Sequence, residues 1–311
     1  MNEGHVYWRR PLPSCSLGIP TTLQSLRPDE QKSTWQNISA RTGLARLSLD
    51  PCINASDDAV MSVLAPTLFT GMAGICAEKR AMALKRVAMW ASQRNWYAKV
   101  MHSTQPALLL EEDALLSATF CEATKQVLVA LPREWDVIFL GHCAEHYSSI
   151  PRCSRIGTLD GGLPLFLARA AMPHCSHAML LSPEGASKFH ALMADWNETY
   201  SRHVIASLRG HLHDKQACAA WKRQHHKQAL DSGHDVEFAR LILERKLTAF
   251  TVWPQLALQP WQLQPGSHLS IDRFIADRSF PPQCERDTAR LRTKLNGRLF
   301  EYILDEYIER V

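Results

Sequence analysis

The chain has 311 residues, 46% hydrophobic and 21% charged. It is long and apolar enough to bury a large core, which excludes a disordered chain, a collagen and a disulfide-held mini-protein. Lys+Arg 35 against Asp+Glu 31 leaves +4, too mild a balance for a dedicated nucleic-acid binder.

The nine cysteines are scattered, odd in number and without a CxxC. The expectation is no disulfide framework and a reducing, cytoplasmic compartment. Arg9 and Arg10 lead into prolines and polar residues rather than an apolar run, so no signal peptide is expected. The stretch from Ala59 to Ala77 carries no charge, but Pro66, Gly71 and Gly74 interrupt it. It reads as helix and loop, with no membrane span expected.

In chain order, residues 1–45 are rich in Pro, Ser, Thr and Gln and read as an irregular arm. Leu84, Val87, Ala88 and Ala91 recur at helical spacing, predicting an amphipathic helix over 78–99. The apolar run 106–110 predicts a buried strand ending in acid, and a helix is expected over 114–131. Further strands are expected at 135–140, 163–168, 178–181 and 247–253. Ser182-Pro183-Glu184 has the order of an N-cap, a first-turn proline and a dipole-favouring acid, so a helix starts there. A short helix follows from Asp235. Residues 195–232 read as helix and loop, 254–283 as irregular, and 284–311 as a terminal helix. Strands alternating with helices predict an α/β domain over 46–283, with a mixed, mostly parallel sheet.

Glu111-Glu112-Asp113 is the most informative cluster. Three adjacent acids cannot enter a core without a cation. At a strand end they face the crevice where α/β sheets bind ligands. In an extended chain Glu111 and Asp113 share a side, where they can hold a hard divalent ion; the plainer reading is a solvated acidic loop. Asp235 and Glu237 open a helix and are either an acidic first turn or a base for a hydroxyl. His174, Cys175 and His177, with His142, Cys143, His146 and Cys153, have zinc-ligand chemistry at irregular spacing. His211, His213, His225 and His226 read as solvated. Trp196, Trp221, Trp253 and Trp261 can stack a sugar or base but individually suit packing. GxxxxGK[ST], GxGxxG after a strand and GxSxG are absent, which argues against P-loop NTPases, standard dinucleotide dehydrogenases and serine hydrolases.

Five segments, in order, resemble glycosyltransferase family 25, the lipopolysaccharide-type and collagen-type sugar transferases, and its fungal-like members in particular. Ala107-Leu-Leu-Leu-Glu-Glu-Asp-Ala114 resembles the family's strand ending in Glu-Asp-Asp. Trp135-Asp-Val-Ile-Phe-Leu-Gly141 resembles its W-D strand. Cys175-Ser-His-Ala-Met-Leu-Leu-Ser-Pro-Glu-Gly-Ala186 resembles its T-H-A-Y segment. His234-Asp-Val-Glu237 resembles a later acidic motif, and Val252-Trp-Pro-Gln-Leu256, with Gln259 downstream, a later strand. The resemblance covers roughly 70–275. Three family features depart: the opening V-I-N-L-x-R-R strand is not found, Arg46-Leu-Ser-Leu-Asp50 being a poor substitute; Gly74-Ile-Cys-Ala-Glu-Lys79 lacks the family's Ser-His; and His268 stands where G-S-D-I has Asp.

The resemblance implies a GT-A-like nucleotide-sugar fold and inverting transfer from a UDP-sugar to a glycan or glycoprotein acceptor. It implies a divalent cation (Mn²⁺ or Mg²⁺) on Glu111 and Asp113, donor contacts from Glu112, Gly141 and His177, and Asp235 as the base. The alternative is a glycosyltransferase-like protein that binds without catalysing.

Overall fold

A computed structural model describes residues 15–25, 44, 47–71, 77–117, 119–142, 153–159, 164–171, 173–196, 198–201 and 234–259. The elements in chain order are β1 (Thr21–Ser25), β2 (Leu47–Pro51), α1 (Asp58–Leu64), α2 (Pro66–Gly71), α3 (Ala77–Met101), β3 (Ala107–Glu111), β4 (Leu115–Leu116), α4 (Phe120–Val129) and β5 (Val137–Gly141). There follow β6 (Cys153–Thr158), β7 (Pro164–Arg169), β8 (Ala178–Leu181), α5 (Pro183–Leu192), α6 (His234–Leu243), β9 (Ala249–Trp253) and β10 (Ala257–Leu258). The expected terminal helix at 284–311, most of the 195–232 segment, Gly266-Ser267, His268, Cys143 and His146 lie outside the described residues.

Eight strands form one sheet in the order β2-β1-β3-β8-β5-β9-β7-β6. The expectation of an α/β fold with flanking helices holds, but the sheet is mixed rather than mostly parallel. Among the described residues only β1·β2, β1·β3 and β5·β9 pair parallel as strands. The pairs β3·β8, β5·β8, β7·β9 and β6·β7 are antiparallel. The reversals come from β8, inserted head-down between β3 and β5, and from the short connection Thr158–Pro164, too short for a parallel crossover.

Alternation along the central strands sends side chains into two cores, one on each face. Leu108, Leu110, Ile138, Leu140, Ala178 and Leu180 face one, together with Phe120, Ala123 and Val127 of α4. Leu109, Val137, Phe139, Met179 and Leu181 face the other, with Trp90, Tyr97, Phe189 and Phe238 of α3, α5 and α6. Phe189 and Phe238 stack there at 3.9 Å, with Tyr97 edge-on to Phe189 at 5.0 Å. Burial on both faces explains why these strands read as unbroken apolar runs.

Three local expectations need correction. Thr21–Ser25, inside the presumed irregular arm, is a strand between β2 and β3. Its only apolar residue is Leu23; Thr21, Thr22 and Gln24 are buried beside it, Thr22 bonded to Ser48 at 3.2 Å and Gln24 Nε2 donating to Ser92 O at 3.4 Å. The helix expected from 114 starts only at Phe120, after β4. The cysteine expectation also fails. Cys15 and Cys121, separated by 106 residues, form a disulfide with Cα atoms 6.1 Å apart. Cys153 and Cys175 are disulfide-bonded as well. Pairing between distant segments needs no local spacing pattern, so scattered cysteines did not argue against it.

The Ala59–Ala77 stretch breaks into α1 and α2 at Ala65-Pro66, and no helix among the described residues is long and apolar enough to cross a membrane. Ser182 caps α5 as expected, its Oγ accepting from Gly185 N at 2.9 Å.

Asp136 ties α5 and β9 to the start of β5. Its carboxylate accepts from Thr248 N at 2.7 Å and from Lys188 Nζ at 2.9 and 3.1 Å, while its carbonyl accepts from Ser182 N at 3.0 Å. Asp136 is buried and Lys188 is half in solvent, so the backbone donor depends more on the carboxylate than the lysine does. Asp136→Ala is expected to destabilise the protein by about 2 kcal/mol in urea unfolding, and Lys188→Met by clearly less.

Candidate functional site

Strands β1, β3, β5 and β9 run in one direction, so their C-terminal ends share one edge of the sheet with the start of β8. Chemistry-bearing side chains collect at that edge. Glu111 is the last residue of β3. Ala114 N donates to Glu111 O at 3.0 Å, so the chain turns through Glu112 and Asp113 instead of continuing extended. The extended-strand argument for a shared side therefore does not describe this backbone. The two acids meet through a third residue: Gln259 Nε2 donates to Glu111 Oε2 at 3.2 Å and lies 3.3 Å from both oxygens of Asp113.

The other Glu111 oxygen accepts from Ser176 Oγ at 3.2 Å, and Glu111 N donates to His177 O at 2.9 Å. Asp235, in the first turn of α6, accepts from Cys175 N at 3.3 Å. Cys175 has φ 64°, a left-handed kink that turns the chain as it enters β8. One short segment thus supports Glu111 and Asp235 together.

The electrostatics reflect that convergence. Burial, then the charge of Asp113, and to a lesser extent Asp235 and Glu112, push the Glu111 carboxyl up to about 8, against a smaller opposing effect of the Ser176 bond. Loss of hydration likewise raises Asp113, opposed by its bond from Gln259. Among the described residues no Lys or Arg forms an ion pair with Glu111, Asp113 or Asp235. The compensating partners found are neutral: a hydroxyl, an amide and backbone N–H groups.

Glu112 lies in the turn, and its charge helps raise the thiol of Cys52, which burial pushes up to about 11. Glu237 is separated from Asp235 and pairs with Arg240 at 2.6 Å.

Gly141 and His177 lie beneath the site. Both are buried, and His177 Nε2–H donates to Ala257 O at 3.0 Å. A Cβ on Gly141 would fall 2.6 Å from Ala257 O and closer still to His177 Nε2, so only glycine fits there. Neither residue offers surface to a ligand; both set the height of β10. Burial lowers His177 to about 4, which leaves it neutral at pH 7.

The zinc reading loses two of its thiols, because Cys153 and Cys175 are disulfide-bonded, while Cys143 lies outside the described residues. Among the described residues no group of three or more His, Cys, Asp or Glu is placed to hold a metal ion. Trp253 is fully buried and Trp196 is buried in stacking contact with Tyr200 at 4.7 Å, so both serve packing. Trp221 and Trp261, with the histidines at 211, 213, 225 and 226, lie outside the described residues.

Sequence reasoning missed Ser176 and Gln255. Gln255 Oε1 accepts from His142 N at 3.0 Å. Ser176, Gln255 and Gln259 stand within or beside the resembling segments with no role of their own there. Nothing local marks these residues; the signal available was that unpaired acids at a strand end require donors from elsewhere. No family model matches the chain, and no curated protein matches it.

Gly141→Ala is expected to lower stability by about 1–3 kcal/mol through overpacking, read as a drop in Tm. A second expectation concerns acid. Burial, aided by nearby His177 and His174, lowers His142 from 6.5 to about 3. The unfolded chain then binds the extra proton, so this contribution is complete above pH 6.5 and is lost as pH falls toward 3. Between those limits the wild type should lose about 1.4 kcal/mol per pH unit relative to His142→Gln, measured by urea unfolding at several pH values.

Proposed function

We propose that this chain is a metal-dependent glycosyltransferase with a GT-A-like fold, moving a sugar from a UDP-sugar to a hydroxyl of a glycan or glycoprotein acceptor with inversion. The observation that carries the reading is the convergence of Glu111, Asp113 and Asp235, from two distant segments, around neutral donors, with no Lys or Arg paired to them among the described residues. Hard carboxylate oxygens without a basic partner suit a divalent cation such as Mn²⁺ or Mg²⁺. Glu111 and Asp113 would hold it, and a bound cation supplies charge neutralisation for a diphosphate. With two protein carboxylates, the remaining coordination is left to phosphate and water.

Asp235 is the residue suited to take the proton. It comes from a different segment than Glu111 and Asp113, and one of its oxygens is steadied by Cys175 N. In the inverting step the acceptor oxygen forms its bond to the anomeric carbon as the bond to UDP breaks. The acceptor proton passes to Asp235. Glu112, in the same turn, remains the donor-side contact of this reading. Gly141 and His177, being buried, act by positioning rather than touching the donor.

The disulfide-bonded cysteines favour an oxidising compartment over the cytoplasm for this protein. The second reading, a glycosyltransferase-like protein that binds without catalysing, draws on Gln259: its amide bridges both acids and lets them coexist without a cation.

Thermal-shift titration with UDP separates the two. Stabilisation that needs Mn²⁺, disappears with EDTA and is lost in Asp113→Asn supports the transferase. At about 100 times Kd it should reach about 2.7 kcal/mol. UDP binding insensitive to EDTA would remove the metal from the proposal. Asp235→Asn should lower turnover about 10²–10⁴-fold while donor binding is kept.

A further inference from the structure

We infer that His177 is a positioning residue that sets the reach of Gln259 onto Glu111 and Asp113, acting through the carbonyl of Ala257. A carbonyl can only accept, so His177 Nε2 must carry the ring proton in the 3.0 Å contact with Ala257 O. His177 Nδ1 has no hydrogen-bond partner among the described residues, so this is the ring's single polar tie. Ala257 belongs to β10, which pairs with β4 in a two-stranded ribbon standing apart from the main sheet. One backbone bond anchors the ribbon's base to β5, Leu256 N to Leu140 O at 2.8 Å, while Ser117 N to Leu256 O at 3.0 Å continues the pairing of β4 with β10. The His177 bond comes one residue further along, toward the end that carries Gln259.

Gln259 follows β10 directly, two residues beyond Ala257, and its amide reaches both acids. His177 therefore grips the acidic cluster from two directions. Its own carbonyl accepts from Glu111 N at 2.9 Å, and its ring fixes the strand that delivers the bridging amide. Gly141 makes this possible by leaving the ring and the carbonyl room to meet. A positioned amide keeps two mutually repelling carboxylates aimed at a common point, and a loosened one lets them part.

The inference rests on the metal reading above only where Mn²⁺ serves as the probe. In the full chain, His177→Leu and Gln259→Ala should each weaken Mn²⁺ binding about tenfold by titration, and the double variant should weaken it no further. His177→Gln, which keeps an amide donor toward Ala257, should restore most of the affinity; His177→Asn, too short to reach, should not. Multiplying effects in the double variant would overturn the inference. If the wild type binds no Mn²⁺, the metal reading fails, and NMR exchange of the Gln259 side-chain amide protons decides the inference alone. Exchange should quicken in His177→Leu or, if that variant does not fold, in His177→Asn, and recover in His177→Gln. Unchanged exchange would overturn it.

Discussion

The close approach at Gly141 is the contact on which the site's geometry depends. There a strand end, an imidazole and a carbonyl from the ribbon occupy a space with no room for one more carbon. The sheet contributes Gly141 through β5 and His177 through the residue preceding β8. The ribbon contributes Ala257. Two structures that share few backbone bonds are thereby held at one spacing, and Gln259 inherits that spacing. Packing density transmits position here better than a single hydrogen bond would, since a close-packed contact cannot be compressed cheaply.

Above that contact the acids set an opposing demand. Two unit charges about 4 Å apart repel by about 4 kcal/mol at an effective dielectric of 20, while a hydrogen bond to a charged group returns about 1.5–3 kcal/mol. One hydroxyl and one amide are therefore a close match for the repulsion of one pair, not of three acids. Burial first, and then this repulsion, drive the Glu111 carboxyl up to about 8. A divalent cation would relieve the repulsion by another route than protonation, and the same arrangement of neutral donors would serve either state.

The parts legible in the sequence were those whose physics is local. Buried strands at β3, β5 and β8 betray themselves by unbroken apolar runs, and the cap at Ser182 by its order with Pro183 and Glu184. The acidic turn at Glu111 was legible as a site because its residues resist burial. β1 was illegible because its buried residues are Thr and Gln, whose partners Ser48 and Ser92 lie far along the chain. β6 was illegible because an edge strand has little apolar pattern to show. Sheet direction and cysteine pairing are long-range properties, and Ser176 takes its importance from Glu111, reached only through the fold.

The Cys15–Cys121 bond closes a covalent ring that contains β1, β2, α1, α2, α3, β3 and β4. By loop-closure entropy a ring of about 100 residues narrows the unfolded ensemble by about 4.7 kcal/mol. The strand that gains most is β1, which has the least apolar surface to hold it and whose two neighbours, β2 and β3, both lie within the ring. A weakly hydrophobic strand can thus sit inside a large sheet because the chain is not free to carry it away. The strands β2, β1 and β3 are thus held by one covalent ring as well as by their own pairing.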